Sequence, residues 1–78
     1  MTPARKAHLV LIADNLLALV DELNKIKAAE QAEYDALSEK RKDGETGART
    51  VVWLEYMHLA AEHVTRANDC CIDACNAL

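Results

Sequence analysis

Residues 9–26 have the sequence LVLIADNLLALVDELNKI, and this stretch decides the fold. Its large apolar residues recur at alternating steps of three and four along the chain. They are Leu9, Ile12, Leu16, Leu19, Leu23 and Ile26. Because an α-helix turns once in about 3.6 residues, this spacing places them in one stripe along a single face. The stretch therefore predicts a long helix that packs along its length against another helix.

The second half of the chain carries a similar stripe. Its members are Trp53, Met57, Ala60, Val64, Ala67, Cys71, Ala74 and Leu78. Between the two stripes lie both glycines of the chain, Gly44 and Gly47, and glycine disfavours a continuous helix. The pattern predicts an all-α fold, an antiparallel two-helix hairpin that forms one domain over residues 1–78. Helix 1 is expected at about 3–38, the turn at about 39–44 and helix 2 at about 45–76.

Residue sizes in the two stripes predict which residues face each other. The alanines of helix 2 are small enough to let the leucines of helix 1 approach closely. A turn centred near Arg41 matches the two helices in length. The facing pairs are then Leu23 with Ala60, Leu16 with Ala67, and Ile12 with Cys71.

Two helices alone would leave much apolar surface in water. The flanking apolar residues are Leu11, Leu17, Val20, Val52, Leu54 and Ile72. Below about 80 residues a single core rarely supplies more than about 3–5 kcal/mol. We therefore expect a homodimer or higher oligomer, most simply a twofold-symmetric four-helix bundle. The expected interface residues are Leu9, Ile12, Leu16, Leu19, Leu23, Ile26, Trp53, Met57, Val64 and Cys71.

Charge and hydropathy exclude several classes of partner. The 78 residues have a formal charge of −4, which argues against nucleic acid as a partner because its phosphates require basic surface. The apolar stretch from Leu9 to Val20 is interrupted by Asp14 and Asn15, and it is too short to span a bilayer. We expect no membrane segment and no signal peptide, and hence a cytoplasmic protein.

Three cysteines, Cys70, Cys71 and Cys75, lie close together near the end of helix 2. An odd number at such short spacing does not make a disulfide framework, so reduced thiols are expected. Cys71 and Cys75 are one turn apart, but the chain has no second Cys or His pair at zinc spacing. A role as buried thiols is favoured over metal binding.

Glu55 and His58 form a Glu-x-x-His motif, the spacing with which some helical bundles build di-iron sites. Such a site needs a further carboxylate, which Glu30 or Glu33 could supply in an assembled dimer. In the matched register, however, both glutamates lie about one turn short of the motif. A metal-binding bundle similar to half of a ferritin is therefore the alternative, and a solvated helix face without a cofactor is the default.

Catalytic chemistry is not expected. His8 and His63 have no nucleophile at a fixed spacing, and no glycine-rich loop is present to stabilise an oxyanion. The chain shows no other catalytic motif. We therefore expect a protein that is not an enzyme.

Around the turn, the chain resembles a group of short acidic two-helix proteins of bacteriophages and mobile elements that have no established activity. The likeness rests on Ile26-Lys27, Glu30-Gln31, the run from Glu33 to Leu37, and Glu45 and Gly47. Those proteins tend to have proline and serine where this chain has Ser38 and Gly44. The resemblance implies that helix 1 ends near Ser38 and that helix 2 starts near Gly44. It implies a phage or plasmid setting without a mechanism.

Three functions follow from these observations as hypotheses. The first is a non-enzymatic interaction module that binds a host protein, such as an antidefence-like inhibitor whose acidic surface occupies a basic groove. The second is the metal-binding bundle with Glu30 or Glu33, Glu55 and His58. The third is a small RNA-binding dimer similar in build to the plasmid regulator Rop, against which the acidic charge argues.

Overall fold

The computed structural model describes residues 1–77, and its architecture is all-helical. Helix α1 spans Pro3–Asp35, α2 spans Glu39–Lys42 and α3 spans Glu45–Asn76. The molecule is elongated, with principal extents of 58 × 16 × 12 Å. The two long helices pack on each other along this rod, and α2 packs on the start of α3.

Local sequence explains where α1 begins. The side-chain Oγ1 of Thr2 accepts a hydrogen bond from the backbone N–H of Arg5 at 3.2 Å. This bond satisfies one of the free N–H groups at the helix start. Pro3 occupies the first helical position, where its missing N–H costs nothing.

The structure divides the predicted end of helix 1 and the predicted turn differently. α1 ends at Asp35 rather than at residue 38, and α2 occupies most of the segment predicted as a turn. Ser38 is the reason, because its Oγ accepts a hydrogen bond from the N–H of Arg41 at 3.4 Å and its backbone is extended. This is the geometry of an N-cap, so the chain starts a new helix here. Basic residues end α2, where they face the negative end of its dipole.

Two hydrogen bonds between distant residues show how α3 lies on α1. The side-chain Nδ2 of Asn68 donates to the carbonyl oxygen of Ala13 at 2.8 Å. Nearer the start of α1, the Sγ of Cys75 donates to the carbonyl oxygen of Lys6 at 3.6 Å. Ala13 follows Lys6 in α1, whereas its partner Asn68 precedes Cys75 in α3. The long helices therefore run in opposite directions. In both pairs the residue numbers add up to 81.

The least exposed residues of the long helices recur at steps of three and four and mark the contact between them. On α1 they are Leu9, Ala13, Leu16, Val20, Leu23, Lys27, Glu30 and Tyr34. On α3 they are Gly47, Thr50, Leu54, Met57, Ala61, Val64, Asn68, Cys71 and Cys75, and Ala60 beside Ala61 is half-buried too. Only alanines among the apolar residues of this contact are buried, namely Ala13 and Ala61. The contact is therefore narrow.

In α1, the register predicted for the contact is half wrong. Leu9, Leu16 and Leu23 lie in it as expected. The other three members of the stripe are exposed. In each case the residue that follows it in the sequence lies in the contact instead. These exposed members are Ile12, Leu19 and Ile26.

The same displacement by one residue occurs in α3. Met57, Val64 and Cys71 lie in the contact, whereas Trp53 is exposed. Ala67 and Ala74 are exposed as well, so the expected pairs of Leu16 with Ala67 and of Ile12 with Cys71 do not face each other. In the third expected pair, Leu23 and Ala60 are both half-buried. Leu78, the last member of the predicted stripe, lies outside the described residues.

The physical cause of the displacement is a polar side chain in the contact. Asn68 is only 6% exposed, and its amide is satisfied by the carbonyl of Ala13. Ala13 is small, so the backbones approach closely enough for this bond to form. The spacing of apolar residues alone predicts that Ala67, and not Asn68, lies in the contact, because asparagine is usually a surface residue.

Gly47 determines how α2 sits against α3. It is buried, and a Cβ atom at this position would overlap the backbone carbonyl group of Lys42. Gly44 has ordinary space around it, since a Cβ there would lie 3.5 Å from the nearest atom, the carbonyl oxygen of Lys40. Of the two glycines, Gly47 is thus the one that the close packing requires.

Candidate interaction surface

The contact between α1 and α3 leaves a long surface on each of its two sides. Trp53 and His58 show the division on α3. They are five residues apart and therefore about 140° apart around the helix. Trp53 lines a groove together with Ile26 and Met57. His58 lines a groove on the opposite side together with Asn24 and Gln31.

The side that carries Trp53 is the apolar side, and it contains two lanes of residues spaced seven apart. Residues spaced by seven drift by only about 20° around a helix, so each lane stays on one side of the contact. The large lane on α1 consists of Ile12, Leu19 and Ile26. The small lane on α3 consists of Ala60, Ala67 and Ala74, and Trp53 precedes it at the same spacing.

The two lanes lie side by side, in rows across the apolar side. The groove between Ile26 and Trp53 defines one row directly. The residue numbers of this pair add up to 79, close to the value of the hydrogen-bonded pairs. The residue numbers of Leu19 and Ala60 also add up to 79, as do those of Ile12 and Ala67, so we expect these pairs to lie side by side as well. Ile26 and Trp53 are 54% and 53% exposed, so this side presents large apolar groups to water.

The opposite side is the acidic side. Two lanes of carboxylates follow it at spacings of seven or fourteen residues: Asp14, Asp21 and Asp35 on α1, and Glu55, Glu62 and Asp69 on α3. All six are exposed. Glu55 lines one groove on this side together with Ala28, which lies midway between Asp21 and Asp35 in the lane of α1. Glu62 and Asp69 line the next groove.

The four candidate metal ligands are divided between the two sides within one copy of the chain. Glu30 lines the apolar groove beside Trp53, whereas Glu55 and His58 line the acidic side. His58 contacts Glu62 instead, with 3.1 Å between Nε2 and Oε1. Glu33 is exposed and lies seven residues beyond Ile26 in the large lane. Residues 1–77 contain no group of three or more His, Cys, Asp or Glu side chains arranged to hold a metal ion.

The three cysteines are free thiols that differ in their surroundings. Cys70 is exposed, and Cys71 and Cys75 are half-buried in the contact with α1. The thiol of Cys75 donates to the backbone of Lys6, so it has a structural partner. The expected burial of the thiols is thus met in part by Cys71 and Cys75, and it is wrong for Cys70.

The predicted interface residues fall into two groups. Six lie in the contact between α1 and α3: Leu9, Leu16, Leu23, Met57, Val64 and Cys71. The other four, Ile12, Leu19, Ile26 and Trp53, lie exposed on the apolar side. The acidic lanes were not identified from the sequence. Their spacing was visible there, but it indicates a common side only when the register of the contact is known.

Comparisons of the chain with protein-family models, with curated proteins and with solved structures gave no match. Within residues 1–77, neither long helix is apolar enough over a sufficient length to cross a bilayer.

Proposed function

We propose that this chain is a non-enzymatic protein–protein interaction module, a two-helix hairpin that dimerises into a four-helix bundle. Its acidic side binds a basic surface of a host protein, and the bound partner is inhibited because this surface is occupied. The resemblance to short two-helix proteins of bacteriophages and mobile elements favours such a setting. The observation that carries the proposal is the division of the molecule into an apolar side and an acidic side.

The apolar side supports self-association. Few side chains are buried within one copy, and the buried apolar residues are alanines. A core of this size stabilises a chain of 78 residues only weakly, whereas covering the apolar side adds buried aliphatic and aromatic groups. Dimerisation through that side leaves the acidic side of each copy facing outwards.

The acidic side supports binding of a basic partner. Six carboxylates lie along it, and Lys27 and Arg66 line one groove beside Glu62 and Asp69 and offset part of their charge. Rows of carboxylates make the local electrostatic potential more negative, and this potential steers positively charged surfaces into contact. A groove that normally holds nucleic acid has the required positive charge. Binding of this kind weakens in salt, because the Debye length falls from about 10 Å at 0.1 M to about 3 Å at 1 M.

The experiment compares capture of host proteins by three forms of the chain. The first is the parent protein, and the second is the variant Glu62→Gln/Asp69→Asn, which removes two charges from the acidic side. The matched control Glu22→Gln/Asp43→Asn removes two charges of the same kinds at exposed positions that line neither groove of the acidic side. Each form is incubated with bacterial lysate at low and at high salt, and the bound proteins are identified by mass spectrometry.

The proposal expects one specific partner that is retained by the parent and by the control at low salt. The variant on the acidic side should lose most of this partner, and high salt should release it from every form. A partner retained equally by all three forms would contradict the role of the acidic side. Recovery of no specific partner at either salt concentration would contradict the proposal as a whole.

A further inference from the structure

One copy of the chain exposes more surface than a compact protein of its mass. Its accessible surface is 5875 Å². A compact monomer of 8.6 kDa has about 4,700 Å², so the excess is about 1,200 Å². A stable dimer buries about 800 Å² on each partner. The excess is therefore large enough to supply an interface of ordinary size.

The radius of gyration leads to the same conclusion. It is 17.6 Å, compared with about 11.5 Å for a compact chain of 78 residues. A second rod laid along the first doubles the mass without adding to the length. The elongated shape and the apolar side thus both fit a second copy as the occupant.

We infer that a second copy covers the apolar side in an antiparallel orientation, with the twofold axis crossing the helices at Leu19 and Ala60. This inference rests on the dimer of the proposed function and adds the face and the orientation. In it, α1 packs on α1 of the second copy, and α3 packs on α3. The α2 segments lie at opposite ends of the bundle.

Residue volumes favour this orientation. Trp53 is much larger than the alanines that follow it in its lane. In the antiparallel orientation, the row of Ile26 and Trp53 meets the row of Ile12 and Ala67 of the second copy, so each large indole lies against a small alanine. The alternative has a twofold axis along the helices, and it brings both tryptophans and both Ile26 side chains to one level. That level is overfilled while the alanine rows are underfilled, and either defect destabilises a core.

Charge complementarity favours the same orientation. The large lane is preceded by Arg5 and followed by Glu33, each seven residues beyond its ends. In the antiparallel dimer, with the twofold axis at Leu19, Arg5 of one copy lies opposite Glu33 of the other. The symmetry produces this pair twice, once at each end of the lane. With the axis along the helices, these charges face the small-lane positions Ala74 and Thr46 instead. Opposite charges at both ends of a lane fix its register as well as its direction.

The test uses two leucines of α1 that differ chiefly in the side on which they lie. Leu19 and Leu17 are each 48% exposed. Leu17 lies on the acidic side, because it is seven residues before Asn24, which lines the groove beside Glu55. We would introduce Leu19→Cys and, as the matched control, Leu17→Cys, and then oxidise both proteins gently. Disulfide-linked peptides are mapped by mass spectrometry, and light scattering gives the mass before oxidation. The mapping distinguishes the introduced cysteine from the native cysteines.

The inference expects a disulfide that joins position 19 of one copy to position 19 of the other, because these positions meet at the twofold axis. No such bond should join two copies of position 17. A dimer by mass in which position 19 stays reduced would overturn the orientation and leave the dimer of the proposed function standing. A single-copy mass at all concentrations would overturn both. Capture of a host protein by the acidic side is measured separately from either result.

Discussion

At the scale of single residues, a buried asparagine does more to fix the packing than any large apolar side chain. Asn68 reaches the backbone of Ala13, and this bond forms only in one register of α3 on α1. A polar group in a helix contact lowers stability but excludes other registers, in which its amide would be buried without a partner.

We predict that Asn68→Asp destabilises the protein by about 2 kcal/mol at neutral pH, because a carboxylate replaces the amide donor and faces a carbonyl oxygen. Asn15→Asp makes the same change at an exposed position of α1, and it should cost less than about 0.5 kcal/mol. Urea unfolding followed by circular dichroism measures both at one protein concentration. The difference should shrink as the pH falls and the introduced carboxyl binds a proton that it can donate. Equal stability of the two variants would contradict the buried hydrogen bond.

We predict that Gly47→Ala destabilises the protein by roughly 1–3 kcal/mol, although alanine is the better helix former. The added Cβ overlaps the backbone of Lys42, which cannot move as a flexible side chain would. Gly44→Ser is the control, because there is room for a Cβ and the serine hydroxyl can cap α3. It should be neutral or slightly stabilising. Thermal unfolding of the two variants gives the comparison, and a stable Gly47→Ala would show that α2 does not rest on α3 as described.

At the scale of elements, the sequence predicts the long helices well and their mutual rotation poorly. The spacing of apolar residues in residues 9–26 and the break near Gly44 are local features, and local features decide where helices form. The rotation depends on which of two neighbouring stripes the other helix covers. In α1, Ile12 and Ala13 compete for that role. A single sequence offers no measure of the long-range bond from Asn68 that settles the competition.

The acidic side shows the same limit at the level of the candidate site. Asp14 and Asp21, and likewise Glu62 and Asp69, are seven residues apart in the sequence. Each pair could be predicted to share a face of its own helix. That both pairs lie on one side of the molecule depends on the rotation of both helices, which the apolar pattern misplaced by one residue. The site therefore became visible only together with the packing.

We predict that Leu19→Lys raises the dissociation constant of the dimer at least tenfold, equivalent to about 1.4 kcal/mol. Two lysines would meet at the twofold axis, where the charges repel each other and lose water. Leu17→Lys introduces the same charge at a residue of equal exposure on the other side, and it should leave the dissociation constant nearly unchanged. Sedimentation equilibrium measures both constants. Equal weakening by the two variants would assign the interface to some other surface.

We predict that Arg5→Glu weakens the dimer and that Glu33→Arg, added to it, restores the affinity. In the antiparallel orientation the first variant places like charges together at both ends of the large lane, and the second converts them back into opposite charges. Exposed pairs of this kind contribute about 0.2–1 kcal/mol each. The coupling should decrease at high salt. Strictly additive effects of the two substitutions on the dissociation constant would speak for a dimer in which Arg5 and Glu33 do not meet.

At the scale of the whole molecule, the proposed dimer accounts for stability that one copy lacks. One copy is a rod 58 Å long and at most 16 Å wide, and no residue in a rod of two helices is far from water. Its apolar side chains gain little from folding until a second rod covers them. Folding and association are therefore expected to be one cooperative transition, as in obligate dimers.

We predict that the melting temperature rises with protein concentration, because mass action favours the dimer over two unfolded chains. A hundredfold increase in concentration adds about 2.7 kcal/mol per dimer, which corresponds to a rise of about 5–10 °C for a protein of this size. Circular dichroism in cells of different path length covers this range without a change of probe. Leu17→Lys should show the same slope as the parent protein, whereas Leu19→Lys should melt at a lower temperature at every concentration. A melting temperature independent of concentration would mean that the two helices of one copy hold their fold unaided, and the apolar side would then lack the role assigned to it.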